Sequence, residues 1–307
     1  YWDGVLARGT EHLRDAFRTL YARDAYGAIH LLCGEALSFP ALYVLRREIA
    51  KLGLQTFLGA RNVAALGIAD DVVSSKRRGH HTAPGEYPVL KWMFVSGCKH
   101  TDLGEEYDTV MDFAAILLVR EFRDKTCLEP LARLMFERNR KGQYTFDLEW
   151  AFFESRDPDC LLMAAKRLLF ADAKDVELAR RLLCFLPCFA QKTDAPEMQY
   201  QCAVQWVAQN RHYLAYTGES SQNGNRPQRF AVLHEFKYLQ RPPAPERELP
   251  ERERALLRDF AALDADTREL LAQYSHLLRR RNAAQWRAFM QKPVSRQIEA
   301  AKAVRHG

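Results

Sequence analysis

The chain has 307 residues, 48% of them hydrophobic and 27% charged, with a formal net charge of +6. That is ordinary globular usage, which excludes a disordered polymer, and at this length a core forms without disulfide staples. Glycine (15) and proline (13) are too sparse for a many-turned β fold, and the longest apolar run, FAAILLV at 113–119, is far below the ~18 residues of a membrane span.

The expected fold is therefore all-α, and the helices can be followed along the chain. Leu13, Phe17, Leu20 and Tyr21 fall on one stripe of TEHLRDAFRTLYARDAYG, which predicts a first helix with Thr10 as N-cap. GAIHLLCGEAL is apolar nearly all round and reads as a buried helix. SFPALYVLRREIAKLG places Pro40 near a helix start and Gly53 at its stop, and a fourth helical stretch covers Leu54–Leu66. Residues 1–69 thus form a small helical bundle. Ser, Gly, Pro and charge in DDVVSSKRRGHHTAPGEYP mark 70–88 as an exposed loop. VLKWMFV (89–95) is too short for its period to separate a helix from a strand, whereas EEYDTVMDFAAILLVREFRD is a long helix from Glu105.

A shift of 33 residues lays DKTCLEPLARLMF (124–136) over DPDCLLMAAKRLL (157–169), matching Asp124 with Asp157, Cys127 with Cys160, Leu128 with Leu161 and Ala132 with Ala165. Thr126 and Glu129 make a T-x-x-E capping box, and Asp157 precedes Pro158 at a helix first turn. Between them Asp147 is expected to cap a shorter helix whose Phe146, Trp150 and Phe153 share an inward face. A further helix, DVELARRLLCFLP, stops at Pro187. Over about 105–190 this pattern resembles the HEAT and armadillo helical repeats, which implies helix pairs stacked as an irregular α-solenoid; a non-repetitive helical bundle is the alternative.

APEMQYQCAVQWVAQNRHYL (195–214) is amphipathic, TGESSQNGNRPQ (217–228) is a polar loop, and RFAVLHEFKYL (229–239) favours a helix over a strand. QRPPAPERELPE supplies a proline-rich linker at 241–251. The expected organisation is a helical body over 1–240, with repeat-like helices from 89, then the linker, then a basic helical hairpin and tail over 252–307.

No nucleophile elbow, phosphate loop, dinucleotide fingerprint or H-E-x-x-H is present, so no catalytic residue and no cofactor is expected. The carboxylate pairs Glu105/Glu106 and Glu149/Glu154 suit acid–base work only if buried. His80, His81, Cys98 and His100 offer four metal-ligand types within about twenty residues, but H-H and C-x-H are poor zinc spacings and no metal is expected. Cys184 and Cys188 read as packing at a helix end, and His234 and His276 as ordinary helix histidines. Seven cysteines without a secretory segment suggest reduced thiols and a cytoplasmic protein.

Three basic clusters remain: Lys76–Arg77–Arg78, Arg138–Arg140–Lys141 on an expected exposed turn, and Arg279–Arg280–Arg281 opening a tail in which residues 279–307 carry eight Lys or Arg against the single acid Glu299. Such clusters could meet phosphates of a nucleic acid, and the tail could lie on an anionic membrane surface or pack Trp286 and Phe289 onto its own hairpin. Since the first 240 residues are close to neutral, the expectation is an interaction scaffold or adaptor for a protein partner. A nucleic-acid-associated protein is the second reading, and an enzyme with helix-borne carboxylates the third.

Overall fold

The computed structural model describes residues 1–34, 37–76, 83, 85–189, 195–220, 226–243 and 249–305. Seventeen α-helices and two short strands are found among them, so the chain is all-α in character. Among the described residues no helix is long and apolar enough to cross a membrane. The chain divides into two compact units, Tyr1–Leu183 and Cys184–Gly307.

The first unit holds α1 (Trp2–Leu6), α2 (Thr10–Arg23), α3 (Ala25–Cys33), α4 (Phe39–Lys51), α5 (Ala60–Val73), α6 (Glu86–Gly97), α7 (Glu105–Ile116), α8 (Leu128–Lys141), α9 (Phe146–Glu154), α10 (Asp159–Lys166) and α11 (Ala173–Leu182). Most helices pack on a neighbour one or two places along the chain, as α2 does on α4, α4 on α6, α5 on α7 and α7 on α9, and α8 also meets α11. Phe39, Tyr43 and Tyr107 form an aromatic knot, with centroids 5.0 Å apart for Tyr43–Tyr107 and 5.9 Å for Phe39–Tyr107. Gly97 is required beside it, because a Cβ there would stand 2.5 Å from the Tyr107 hydroxyl and 2.6 Å from Met111 Sδ. That close approach lets Tyr107 donate to the Gly97 carbonyl (3.1 Å) and sets α7 against α6.

Several local expectations are corrected. Thr10 is the first residue of α2, and Gly9, at φ +120°, takes the cap position. Leu54–Phe57 is a 3₁₀ turn; the helix expected over Leu54–Leu66 is α5, which begins at Ala60 and runs into the segment expected to be loop. VLKWMFV is helical, within α6. The long helix from Glu105 is α-helical only to Ile116 and then winds as a π-turn over Leu117–Glu121. Thr145, not Asp147, precedes α9, and Asp147 lies in its first turn. Phe153 is fully buried, whereas Phe146 and Trp150 are only half-buried; the inward face of α9 is Leu148, Phe152 and Phe153.

The second unit comprises α12 (Pro196–Asn210), β1 (Leu214–Tyr216), β2 (Phe230–Val232), α13 (His234–Leu239), α14 (Glu251–Ala261), α15 (Ala265–Arg281), α16 (Ala283–Met290) and α17 (Val294–Arg305). The strands pair antiparallel with Ala215 opposite Ala231, so RFAVLHEFKYL is part strand and part helix. Tyr238, Leu239, Phe260, Leu271, Phe289 and Met290 share one core, in which the Tyr238 and Phe260 rings stack at 4.6 Å. Trp286 Nε1 donates to Ser275 Oγ (2.9 Å), whose hydroxyl donates to the Tyr238 carbonyl (2.6 Å). The units therefore part at Leu183/Cys184. The proline-rich stretch is no boundary between cores, because side chains on both sides of it pack together.

Candidate functional site

Helix α7 carries Glu105, Asp108, Thr109 and Asp112 at i, i+3, i+4 and i+7, which puts them on one face. Opposite lies the end of α8. Gly142 adopts the left-handed conformation (φ +69°) that ends this helix, and the Gly142 and Gln143 amides donate to the carbonyls of Asn139 (3.1 Å) and Arg138 (2.9 Å). The turn brings Gln143 and Tyr144 over the α7 face and encloses a cavity of about 470 Å³ lined by Glu105, Asp108, Thr109, Asp112, Arg138 and Gly142–Tyr144.

Arg138 is the buried centre of this cleft, only 1% exposed. It donates from Nη1 to Asp112 Oδ1 (2.6 Å) and from Nη2 to Asp108 Oδ1 (3.0 Å), while Nε has no partner. Burial pushes the Asp112 carboxyl up to about 7, against the opposing pull of Arg138, and it raises Asp108 in the same way. Gln143 Nε2 donates to the Thr101 carbonyl (3.1 Å), leaving its buried Oε1 unpartnered. Tyr144 is 64% exposed at the rim. Three carboxyl groups thus face one guanidinium, and the cleft suits a cation.

Gly142, Gln143 and Tyr144 also line a second cavity of about 510 Å³, with Thr145, Phe146, Glu149 and Arg181. Glu149 is committed there: Arg181 grips both its oxygens at 2.7 and 2.9 Å, and the Thr145 hydroxyl donates to it at 2.7 Å. Glu106 pairs with Arg46 at 3.1 Å. Neither carboxylate is free for proton transfer.

The expected basic turn is corrected. Arg138 is buried, Arg140 Nη1 lies 3.6 Å from the fully buried Asp175, and Lys141 pairs with Asp102 (2.9 Å) and Glu137 (3.3 Å) and also touches Thr101. All three charges are compensated within the fold. Arg279 stacks on Trp286, with 4.8 Å from the guanidinium carbon to the ring centroid, while Arg280 and Arg281 are exposed. Lys76 is exposed; Arg77, Arg78, His80 and His81 lie outside the described residues. Cys98 is buried and its thiol raised by desolvation, His100 is half-buried, and among the described residues no three His, Cys, Asp or Glu gather as metal ligands. Cys184 follows α11, and Cys188 sits in a 3₁₀ turn at Pro187–Phe189, so the two do not share a helix face.

Asp108, Asp112, Gln143 and Tyr144 were not foreseen as site residues. The acidic spacing in EEYDTVMD was readable, but the facing Arg138 is 26 residues away from Asp112 and no local pattern joins them. No protein family, curated protein or solved structure matches the chain.

Proposed function

We propose that this protein is a non-enzymatic interaction scaffold of stacked, HEAT-like helix pairs, and that its cleft between α7 and the Gly142–Tyr144 turn receives a basic side chain of a protein partner. The cleft carries the reading: Glu105, Asp108 and Asp112 outnumber the lone Arg138, and the exposed Tyr144 ring stands at the rim to stack on a cation. The stacked arrangement is supported by polar contacts that repeatedly join residues about 30 to 37 apart: Arg18–Glu48, Tyr87–Asp124, Thr101–Glu137, Lys125–Asp157 and Arg181–Glu149. The seven cysteines, spread along the chain, favour residence in a reducing, cytoplasmic environment. The nucleic-acid alternative is weakened by the internal pairing of Arg138, Arg140 and Lys141.

The test is calorimetric titration with a tetra-arginine peptide, alongside a duplex DNA probe at the same salt. Peptide binding is expected to weaken at least about fivefold in Tyr144→Ala and in Asp108→Asn, matching the roughly 1 kcal/mol of one cation–π or charge-assisted contact. Peptide binding indifferent to both substitutions, or tighter binding of DNA than of peptide, overturns the proposal.

A further inference from the structure

The second unit holds a pair of cysteines whose thiols meet. Elsewhere the thiols find oxygen: Cys33 donates to the Phe57 carbonyl (2.8 Å), Cys98 to the Val95 carbonyl (3.7 Å) and Cys127 to Asp124 Oδ2 (3.5 Å). Cys188 instead donates to the thiol of Cys202. The two come from different elements. Cys188 is the middle residue of the 3₁₀ turn Pro187–Phe189, Cys202 lies on α12, and the turn packs against that helix. Gln199, Cys202 and Ala203 stand at i, i+3 and i+4 of α12, and Gln199 and Ala203 are buried, so Cys202 borders the packed face.

Both cysteines are half-buried, which holds the sulfurs in place yet leaves them within reach of a small solute. Sulfur is a weak donor and a weak acceptor, so their contact adds little to the fold. A structural zinc would need two further ligands, and among the described residues no third His, Cys, Asp or Glu joins the pair. What two adjoining thiols can do without a third protein group is bond to each other.

We propose that Cys188 and Cys202 form a redox modification site, at which a hydroperoxide converts the two thiols into a disulfide between the turn and α12. Cys202 reacts first: its sulfur attacks the terminal peroxide oxygen, the O–O bond breaks, and Cys202 becomes a sulfenic acid while the peroxide leaves as an alcohol, or as water from hydrogen peroxide. The Cys188 sulfur then attacks the Cys202 sulfur. The S–O bond breaks, and the oxygen departs as water with the Cys188 proton. Two thiols have lost two hydrogens and one peroxide has been reduced. This order follows from the contact. Burial, and then the hydrogen bond given to Cys202, push the Cys188 thiol up to about 12, so Cys188 keeps its proton until a sulfenic acid stands beside it. A dithiol reductant reverses the bond by exchange, as befits a transient disulfide in a reducing compartment.

The test treats the full chain, reduced and then freed of reductant, with hydrogen peroxide under native conditions. Remaining thiols are alkylated, and the protein is mapped with trypsin without reduction. Cleavage after Arg181, Lys192 and Arg211 puts Cys188 and Cys202 on separate peptides, and fragmentation at Pro187 tells Cys188 from Cys184. Two thiols held in contact have a high effective concentration, so the Cys188–Cys202 link is expected at least about tenfold over any other cysteine pair, and dithiothreitol is expected to remove it. In Cys188→Ser, Cys202 is expected to be trapped by dimedone as the sulfenic acid, whereas in Cys202→Ser, Cys188 is expected to stay a free thiol. Cys188 and Cys202 still free once the exposed Cys33 is oxidised, linked only in denaturant, or linked in preference to other cysteines, overturn the proposal. Because the mapping is done on the unsubstituted chain, the outcome does not depend on the folding of a variant, nor on whether the α7 cleft binds peptides.

Discussion

At Asp112 a carboxyl is taken out of water and given a guanidinium in return, and the first effect outweighs the second. Its folded pKa of about 7 lies above the ordinary carboxylate value of 3.8. The folded state therefore binds the proton more tightly than the unfolded state. The resulting stabilisation is complete below about pH 4 and is lost as the pH rises towards 7. Asp112→Asn removes this dependence. Relative to the unsubstituted protein, the variant is expected to gain up to about 4 kcal/mol between pH 4 and pH 8, read by urea unfolding at both pH values. A difference that does not change with pH would sink this account. A shift of that size is also why the cleft cannot be read from sequence alone. Asp108 and Asp112 look like a solvated helix face until Arg138 is brought against them from α8.

The connections that start helices show the same reach across the chain. Asp124 Oδ1 accepts from the Thr126 amide (2.9 Å) and hydroxyl (2.6 Å), and Oδ2 accepts from the Tyr87 hydroxyl (2.9 Å) with Lys91 3.1 Å away. Burial opposes the charge, but these donors together hold the carboxyl well below the usual range. Thirty-three residues on, Asp157 Oδ1 accepts from the Asp159 amide (3.0 Å) and Oδ2 from Lys125 Nζ (2.6 Å). Asp124→Ala and Asp157→Ala are each expected to cost about 2–3 kcal/mol of stability in urea unfolding, Asp124 more because it also holds Tyr87 and Thr126. Losses within experimental error at either position would show that the caps are replaceable. The match of Asp124 with Asp157 and of the buried Cys127 with Cys160 was legible as a sequence echo. The choice of Asp124 over Thr126 as the capping side chain was not, since Tyr87 and Lys91 decide it from α6. For the same reason VLKWMFV could not be told from a strand, because its helix is settled by Gly97 meeting Tyr107 on another element. The Phe230–Val232 strand likewise has its partner at Leu214–Tyr216, across the polar loop.

For the molecule as a whole, composition and helical period revealed the all-α class, but they misplaced the divide. A proline-rich, charged run has the local chemistry of a linker, and local chemistry says nothing of which cores lie on either side. Here Tyr238 and Leu239 precede it and Phe260, Leu271 and Phe289 follow it, all within one apolar cluster. Each such buried side chain contributes about 1.5–3 kcal/mol by leaving water. Cleavage of the backbone by a protease anywhere within 241–251 should therefore leave a nicked protein that runs as two bands under denaturing electrophoresis yet elutes as one particle from a sizing column. Separation of the fragments without denaturant would contradict the shared core. The Tyr238–Phe260 stack would then act as a non-covalent rivet, and covalent continuity at the proline-rich run would be dispensable once folding is complete.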